Sequence, residues 1–217
     1  MIHAIRGLFD APTLGAVREA AAALEFEDGA RTAGRIARQV KANAQAAPSE
    51  AREALLRKVE AVLLANPVFR SAALPRGFAR TMVSRYRPGQ AYGLHVDDAL
   101  IGGARADLSF TLFLSDPDTY DGGALVISDR IEDRAVRLPA GECVLYPSDT
   151  LHRVDPVTRG ERLAIVGWVT SRVRDPARRE ILFDLDQAMA ALGDDGPQDA
   201  RLGLARARSN LIRMWAD

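Results

Sequence analysis

Apolar residues recur along this chain with two different periods. In the N-terminal part Leu14, Val17, Ala21 and Leu24 fall on one helical face. Asp10 stands before Ala11-Pro12 as an N-cap with proline in the first turn, and Asp28-Gly29 ends the segment. Residues 30–47 are rich in Ala, Arg and Gln, carry Gly34 and have weak periodicity. Pro48-Ser49 opens a second helix with Leu55, Leu56, Val59, Val62 and Leu63 as its stripe, and Asn66-Pro67 stops it. The first third of the chain therefore reads as helical.

Near residue 77 the period changes to two, the repeat of a strand with one buried face. The predicted strands are Phe78 to Tyr86, Ala91 to Asp97, Leu108 to Leu114, Ala124 to Ser128, Arg134 to Leu138, Glu142 to Tyr146 and Arg162 to Ser171. In the third of these, Leu108, Phe110, Leu112 and Leu114 share a face. Pro88-Gly89, Asp116-Pro117-Asp118, Asp121-Gly122-Gly123, Pro139-Ala140-Gly141 and Arg159-Gly160-Glu161 supply the turns. Short strands at this spacing, with no helices between them, predict a jelly roll or sandwich rather than a parallel sheet. After Asp175-Pro176 the helical period returns through Ile181, Leu182, Leu185, Met189 and Leu192. A linker, Gly193 to Pro197, leads to a last helix with Leu202, Leu204, Leu211, Ile212 and Trp215. The predicted class is α+β. An N-terminal helical part (1–76) packs on a jelly-roll core (77–172), and a C-terminal helical extension (173–217) follows. That terminal apolar helix, set behind a linker, raises the expectation of a homo-oligomer.

Composition narrows the function. The 217 residues carry 29 Lys plus Arg against 29 Asp plus Glu, a balance that argues against a nucleic-acid binder. No stretch approaches a membrane span and no signal peptide opens the chain, so the expected compartment is the cytoplasm. The single cysteine, Cys143, excludes an intrachain disulfide and a thiolate-rich zinc site, and by alternation it reads as a buried apolar side chain.

Candidate chemistry centres on histidine, of which there are three: His3, His95 and His152. His3 stands near the chain start and suggests no role. His95 begins His95-Val96-Asp97; in a strand, residues two apart face the same side, so His95 and Asp97 point together and Asp98 points away. His152 lies 55 residues after Asp97, at the end of another strand candidate. Two imidazoles and one carboxylate from different strands form a facial triad suited to Fe(II), with coordination positions left open. Arg162 opens a strand ten residues later, sharing a face with Ala164, Val166 and Trp168. An arginine on the inner face is a fixed fork for a carboxylate, whereas on the rim it would form a salt bridge.

The sequence at these positions resembles the PKHD-type hydroxylases, bacterial relatives of the prolyl 4-hydroxylases among the Fe(II)- and 2-oxoglutarate-dependent dioxygenases. The resemblance rests on Arg85 to Gly89, Tyr92 to Asp97, Leu108 to Ser115, Tyr120 to Leu125, and Pro139 through Trp168. Thr32-Ala-Gly34 and the helix after Asp175 look like the same family. The resemblance implies a double-stranded β-helix, iron on His95, Asp97 and His152, and the distal carboxylate of 2-oxoglutarate on Arg162. It also implies a tyrosine that hydrogen-bonds the cosubstrate, for which Tyr86 and Tyr92 are candidates, with Tyr92 the nearer to His95. Thr111 is a further candidate for the pocket, while Trp168 reads as core. L-ascorbate joins Fe(II) and 2-oxoglutarate as an implied cofactor. Ala124 stands where relatives often carry Glu. The implied reaction is hydroxylation of a substrate with O2, coupled to conversion of 2-oxoglutarate to succinate and CO2.

Two other readings stand beside it: a non-oxidative cupin-like metalloenzyme, and an iron or 2-oxoglutarate sensor, the latter suggested by the family's association with bacterial iron uptake. The primary substrate is not readable. Its contacts are expected from loops near 98–107 and 116–122 and from the N-terminal helices, with 98–107 as a candidate lid.

Overall fold

The computed structural model describes residues 2–29 and 37–217. Residues 30–36, which include Thr32 to Gly34, lie outside the described residues. The chain begins with β1 (His3–Ile5), α1 (Ala11–Ala22), β2 (Phe26–Asp28), β3 (Lys41–Ala42), β4 (Ala44–Ala46), α2 (Glu50–Ala65) and α3 (Pro67–Ala73). The middle is β5 (Pro75–Tyr86), β6 (Ala91–His95), β7 (Leu100–Ile101), β8 (Ala104–Arg105), β9 (Leu108–Phe113), β10 (Asp121–Gly122) and β11 (Leu125–Ser128). Then come β12 (Asp133–Val136), β13 (Cys143–Pro147), β14 (Leu151–Val154), β15 (Val157–Arg159), β16 (Arg162–Ser171), α4 (Pro176–Leu192) and α5 (Gln198–Trp215).

Two antiparallel sheets form the body. The larger has the order β1-β13-β9-β16-β5-β4-β2, and the smaller β12-β11-β14-β6-β3. This is the expected α+β jelly roll. The alternation read from the sequence decides which face each strand gives to which layer. Leu108, Phe110 and Leu112 of β9, with Leu163, Ile165 and Val169 of β16, join helix residues Val17, Leu55, Val59, Leu63 and Phe69 in the main core. Phe113, Tyr86, Val144 and Tyr146 point the other way and meet Leu125, Ile127 and Val154 of the smaller sheet. Cys143 is fully buried in the helix-side core, as its alternation predicted.

The helices start where their caps predict. Asp10 Oδ1 accepts from the Thr13 N–H at 2.8 Å, Ser49 Oγ from Arg52 N–H at 3.1 Å, and Asp175 Oδ1 from Ala177 N–H at 2.8 Å. Asn66-Pro67 does end α2, but Asn66 Oδ1 also accepts from Phe69 N–H at 3.0 Å and caps α3, a helix the sequence reading missed. The helical reading of the first third needs a larger correction. Helix α1 stops at Ala22 rather than Asp28, and β1, β2 and β4 add to the larger sheet while β3 adds to the smaller. Each is only two or three residues long, too short for a period of two to register. Their conformation is set by the sheet edges they pair with. Likewise β14 is a separate strand of the smaller sheet, so His152 does not sit at the end of the preceding strand.

At the C-terminus, Leu211, Ile212 and Trp215 pack on Leu74, Val173 and Leu182, while Leu202 at the start of the same helix is exposed. No helix among the described residues is long and apolar enough to cross a membrane.

Phe69 ties α3 to the larger sheet, with ring centroids 6.2 Å from both Phe78 and Phe110 and no exposed surface. Truncation to alanine is expected to cost about 3–5 kcal/mol, read as a fall in the urea midpoint at unchanged slope.

Candidate active site

His95 closes β6, and its register partner across the smaller sheet is His152 of β14. Both rings point between the sheets, 4.3 Å apart at their centroids, and both residues are buried. Asp97 lies two residues beyond the strand end. Its Oδ1 is 3.9 Å from His95 Nε2 and its Oδ2 is 3.7 Å from His152 Nε2. One ligating atom from each residue lies within 4.8 Å of the others, a cluster able to hold a metal ion.

The backbone sets the tautomers. His95 Nδ1 is 2.8 Å from the Gly93 carbonyl oxygen, and His152 Nδ1 is 2.9 Å from that of Thr150. A carbonyl only accepts, so each Nδ1 carries the proton and each Nε2 offers its lone pair toward Asp97. Burial, and next the nearby His152, push His95 down to about 4, against the opposing effects of the Gly93 carbonyl and Asp97. The ring is therefore neutral near pH 7, the state in which imidazole binds metals.

Arg162 opens β16 beside Tyr86 of β5 and is 1% exposed. Its guanidinium lies between the Tyr86 and Phe113 rings, at 5.2 and 5.4 Å. Nε has no hydrogen-bond partner, and among the described residues no carboxylate pairs with this side chain. An unpaired buried cation costs several kcal/mol, so the position is suited to an anion. The predicted turn at Gly122-Gly123 makes room for it. A Cβ on Gly123, whose φ is +60°, would stand 3.1 Å from Arg162 Cδ and 2.9 Å from Val157 Cγ2. Between triad and arginine lies a cavity of about 190 Å³, many times what one water needs.

The descriptions of related proteins agree with this geometry. Residues 81–170 match the model of the 2OG-Fe(II) oxygenase superfamily, and residues 176–217 match the PKHD-type hydroxylase C-terminal domain. A PKHD-type hydroxylase of Maricaulis maris is 51% identical over 193 residues, covering 88% of each chain. One from Synechococcus elongatus is 48% identical across the full length of both. The chain belongs to the PKHD-type hydroxylase family.

Among solved structures, a Pseudomonas putida prolyl-4-hydroxylase is 23% identical, with TM-score 0.53 over 79% of this chain and 92% of its own. HygX of Streptomyces hygroscopicus, solved with nickel and 2-oxoglutarate bound, is 14% identical, with TM-score 0.59 over 78% and 82%. At these identities the likeness is one of fold, the double-stranded β-helix. Family membership makes the protein a 2-oxoglutarate- and Fe(II)-dependent oxygenase of the hydroxylase type.

Within this PKHD-type hydroxylase the remaining candidates take distinct places. Tyr92 lies flat on His95, centroids 3.6 Å apart and rings 15° from parallel, while Tyr86 sits under Arg162. Burial raises both phenols and keeps them neutral. Thr111 lines the cavity and bonds Tyr146, itself edge-on to His152 at 5.2 Å. Trp168 lines the cavity too, half-buried, instead of filling the core, because its alternation faces it away from the helices. His3 packs at a tilt against Phe183 of α4 and is absent from the triad cluster. Ala124 is buried and lies outside the cavity lining.

Loop 98–107 is the hairpin β7–β8, and Leu100, Ile101 and Gly102 wall the cavity. Arg105 ties its base to Asp107, to Asp217 and to the Ser171 carbonyl. Residues 116–122 are absent from the cavity lining, and Tyr120 is fully buried beside Gly123. The N-terminal helices do not reach it either, since they cover the opposite face of the larger sheet. Lys41, Asn43 and Gln45, from the short strands β3 and β4 and the residue between them, line it instead. Burial lowers Lys41 to about 8, and its ammonium stands 5.1 Å over the Tyr92 ring. Sequence reasoning missed these residues, Tyr146 and Ser109. For Ser109 a signal existed, since it shares the inward face with Thr111 two residues on.

A pH dependence follows. The unfolded His95 ring takes a proton near 6.5, the folded ring only near 4. Between these values the unfolded state binds more protons, so stability falls as pH drops through that window. The metal-free protein should melt lower at pH 5 than at pH 7, with a smaller drop in His95→Gln. An equal drop in the variant would show that His95 does not carry the effect.

Proposed function

We propose that the protein binds Fe(II) through His95, Asp97 and His152, binds 2-oxoglutarate through Arg162, and hydroxylates a C–H bond of a substrate held over the same cavity. The observation that carries this reading is the buried Arg162 without an anionic partner, set across a cavity from two imidazoles and a carboxylate. The donor set suits Fe(II), and the guanidinium suits the distal carboxylate of a dicarboxylate. When bound, iron and 2-oxoglutarate supply the O2-activating chemistry that oxygenates the substrate and releases succinate and CO2.

The chain's own work is binding, orientation and exclusion of water. Gly93 and Thr150 aim the two Nε2 lone pairs, and Tyr92 packs flat against His95 and holds its plane. Arg162 orients the dicarboxylate by its far end, with Tyr86 beneath it and Thr111 on the adjacent strand. Phe113, Tyr146 and Val154 exclude water from the sheet interior. Trp168, Arg80 and the β7–β8 hairpin border the cavity on the larger-sheet side, where a substrate would enter.

The test is anaerobic loading with Fe(II) and 2-oxoglutarate, then O2 and quantification of succinate. The parent should form succinate even without its substrate, and His152→Ala should form none above background. Arg162→Ala should need roughly 30-fold more 2-oxoglutarate or greater, the equivalent of about 2 kcal/mol for a lost buried charge pair. Succinate from His152→Ala at the parent's rate would overturn the assignment.

A further inference from the structure

We infer that Ser109 and Ser148 form a hydroxyl relay that fixes which oxygen of Asp97 faces a metal at the triad. The inference rests on the metal-site reading above and concerns positioning.

Asp97 needs such a restraint. It lies two residues beyond the end of β6, so strand geometry that aims His95 does not aim its carboxylate. Ser109 Oγ donates to Asp97 Oδ2 at 2.6 Å, and Ser109 Oγ is 2.8 Å from Ser148 Oγ. A serine hydroxyl has one proton, and a ligating carboxylate can only accept. Ser109 therefore spends its proton on Asp97, and Ser148 donates to Ser109. The chain runs Ser148 to Ser109 to Asp97, each hydrogen bond strengthening the next.

All three groups are shielded from water: Ser109 is 2% exposed, Ser148 4%, and the Asp97 side chain 7%. The anchor is stiff as well. Ser109 sits in β9, inside the larger sheet, opposite Tyr146 on one side and Trp168 on the other. The carboxylate of a loop on one sheet is thus held by a central strand of the other.

The relay uses one of the two acceptor sites of Oδ2 and holds the carboxylate plane, so that Oδ1, 3.9 Å from His95 Nε2, is the oxygen with both acceptor sites free for a metal. A carboxylate that gives one oxygen takes one coordination position. One that swings to give both takes two, and removes a position that a chelating cosubstrate or O2 would use. Ser109 and Ser148 are positioning residues in this sense.

The experiment is titration of the metal-free full-length protein with Co(II), whose visible ligand-field spectrum reports its coordination, with and without 2-oxoglutarate. Ser109→Ala should bind Co(II) about 10- to 100-fold more weakly, with an altered spectrum, while the metal-free protein remains folded. Ser148→Ala should shift affinity in the same direction by less. Both variants binding Co(II) with the parent's affinity and spectrum would overturn the relay. If Ser109→Ala does not fold, Ser148→Ala decides alone: parent-like affinity and spectrum overturn it, and weakened binding supports it. A parent that binds no Co(II) would instead overturn the metal-site reading, and the relay with it.

Discussion

The pairing of β14 with β6 governs everything at the centre of this molecule. Side chains alternate across a strand, so a slip of one residue would turn His152 out to solvent and leave His95 opposite Leu151 or Arg153. The register that opposes the two histidines also opposes Ile127 to His152 and Leu125 to Val154 on the next strand. Apolar packing between the sheets thereby fixes the placement of two polar rings. The clustering of His95, Asp97 and His152 is a by-product of where the hydrophobic residues of the smaller sheet must go.

The larger sheet separates two jobs by face. Its leucines and isoleucines anchor the helices, while the alternate positions present Ser109, Thr111, Phe113, Arg162 and Trp168 to the interior. Burying Arg162 without a partner works against stability. It is tolerated because aromatic rings flank the guanidinium, the helix-side core supplies ample apolar burial, and the cavity leaves room for an anion. The diglycine turn serves the same end, since any side chain at position 123 would crowd the arginine stem. Fold stability is concentrated on one side of the sheet and binding capacity on the other.

What was legible in the chain followed from periods and short spacings. The alternation of β5, β9 and β16 was readable because these strands are long enough to repeat. His95 and Asp97 could be paired because they are two residues apart, and the helix caps because their residues are local. The sequence by itself determined the α+β class, the inward faces of the longer strands and the family, and it singled out His95, Asp97, His152 and Arg162 as the candidates that the structure brings to one cavity. Tertiary structure alone decided that two- and three-residue segments near the N-terminus would become strands, since their conformation comes from the edges they join. It alone brought Lys41, Asn43 and Gln45 to the cavity, laid Tyr92 on His95 while placing Tyr86 under the arginine, and kept residues 116–122 away. It also set Ser109 against Asp97, a contact between two sheets that no spacing along one strand encodes, because hydrogen bonds across a sandwich depend on how its layers meet.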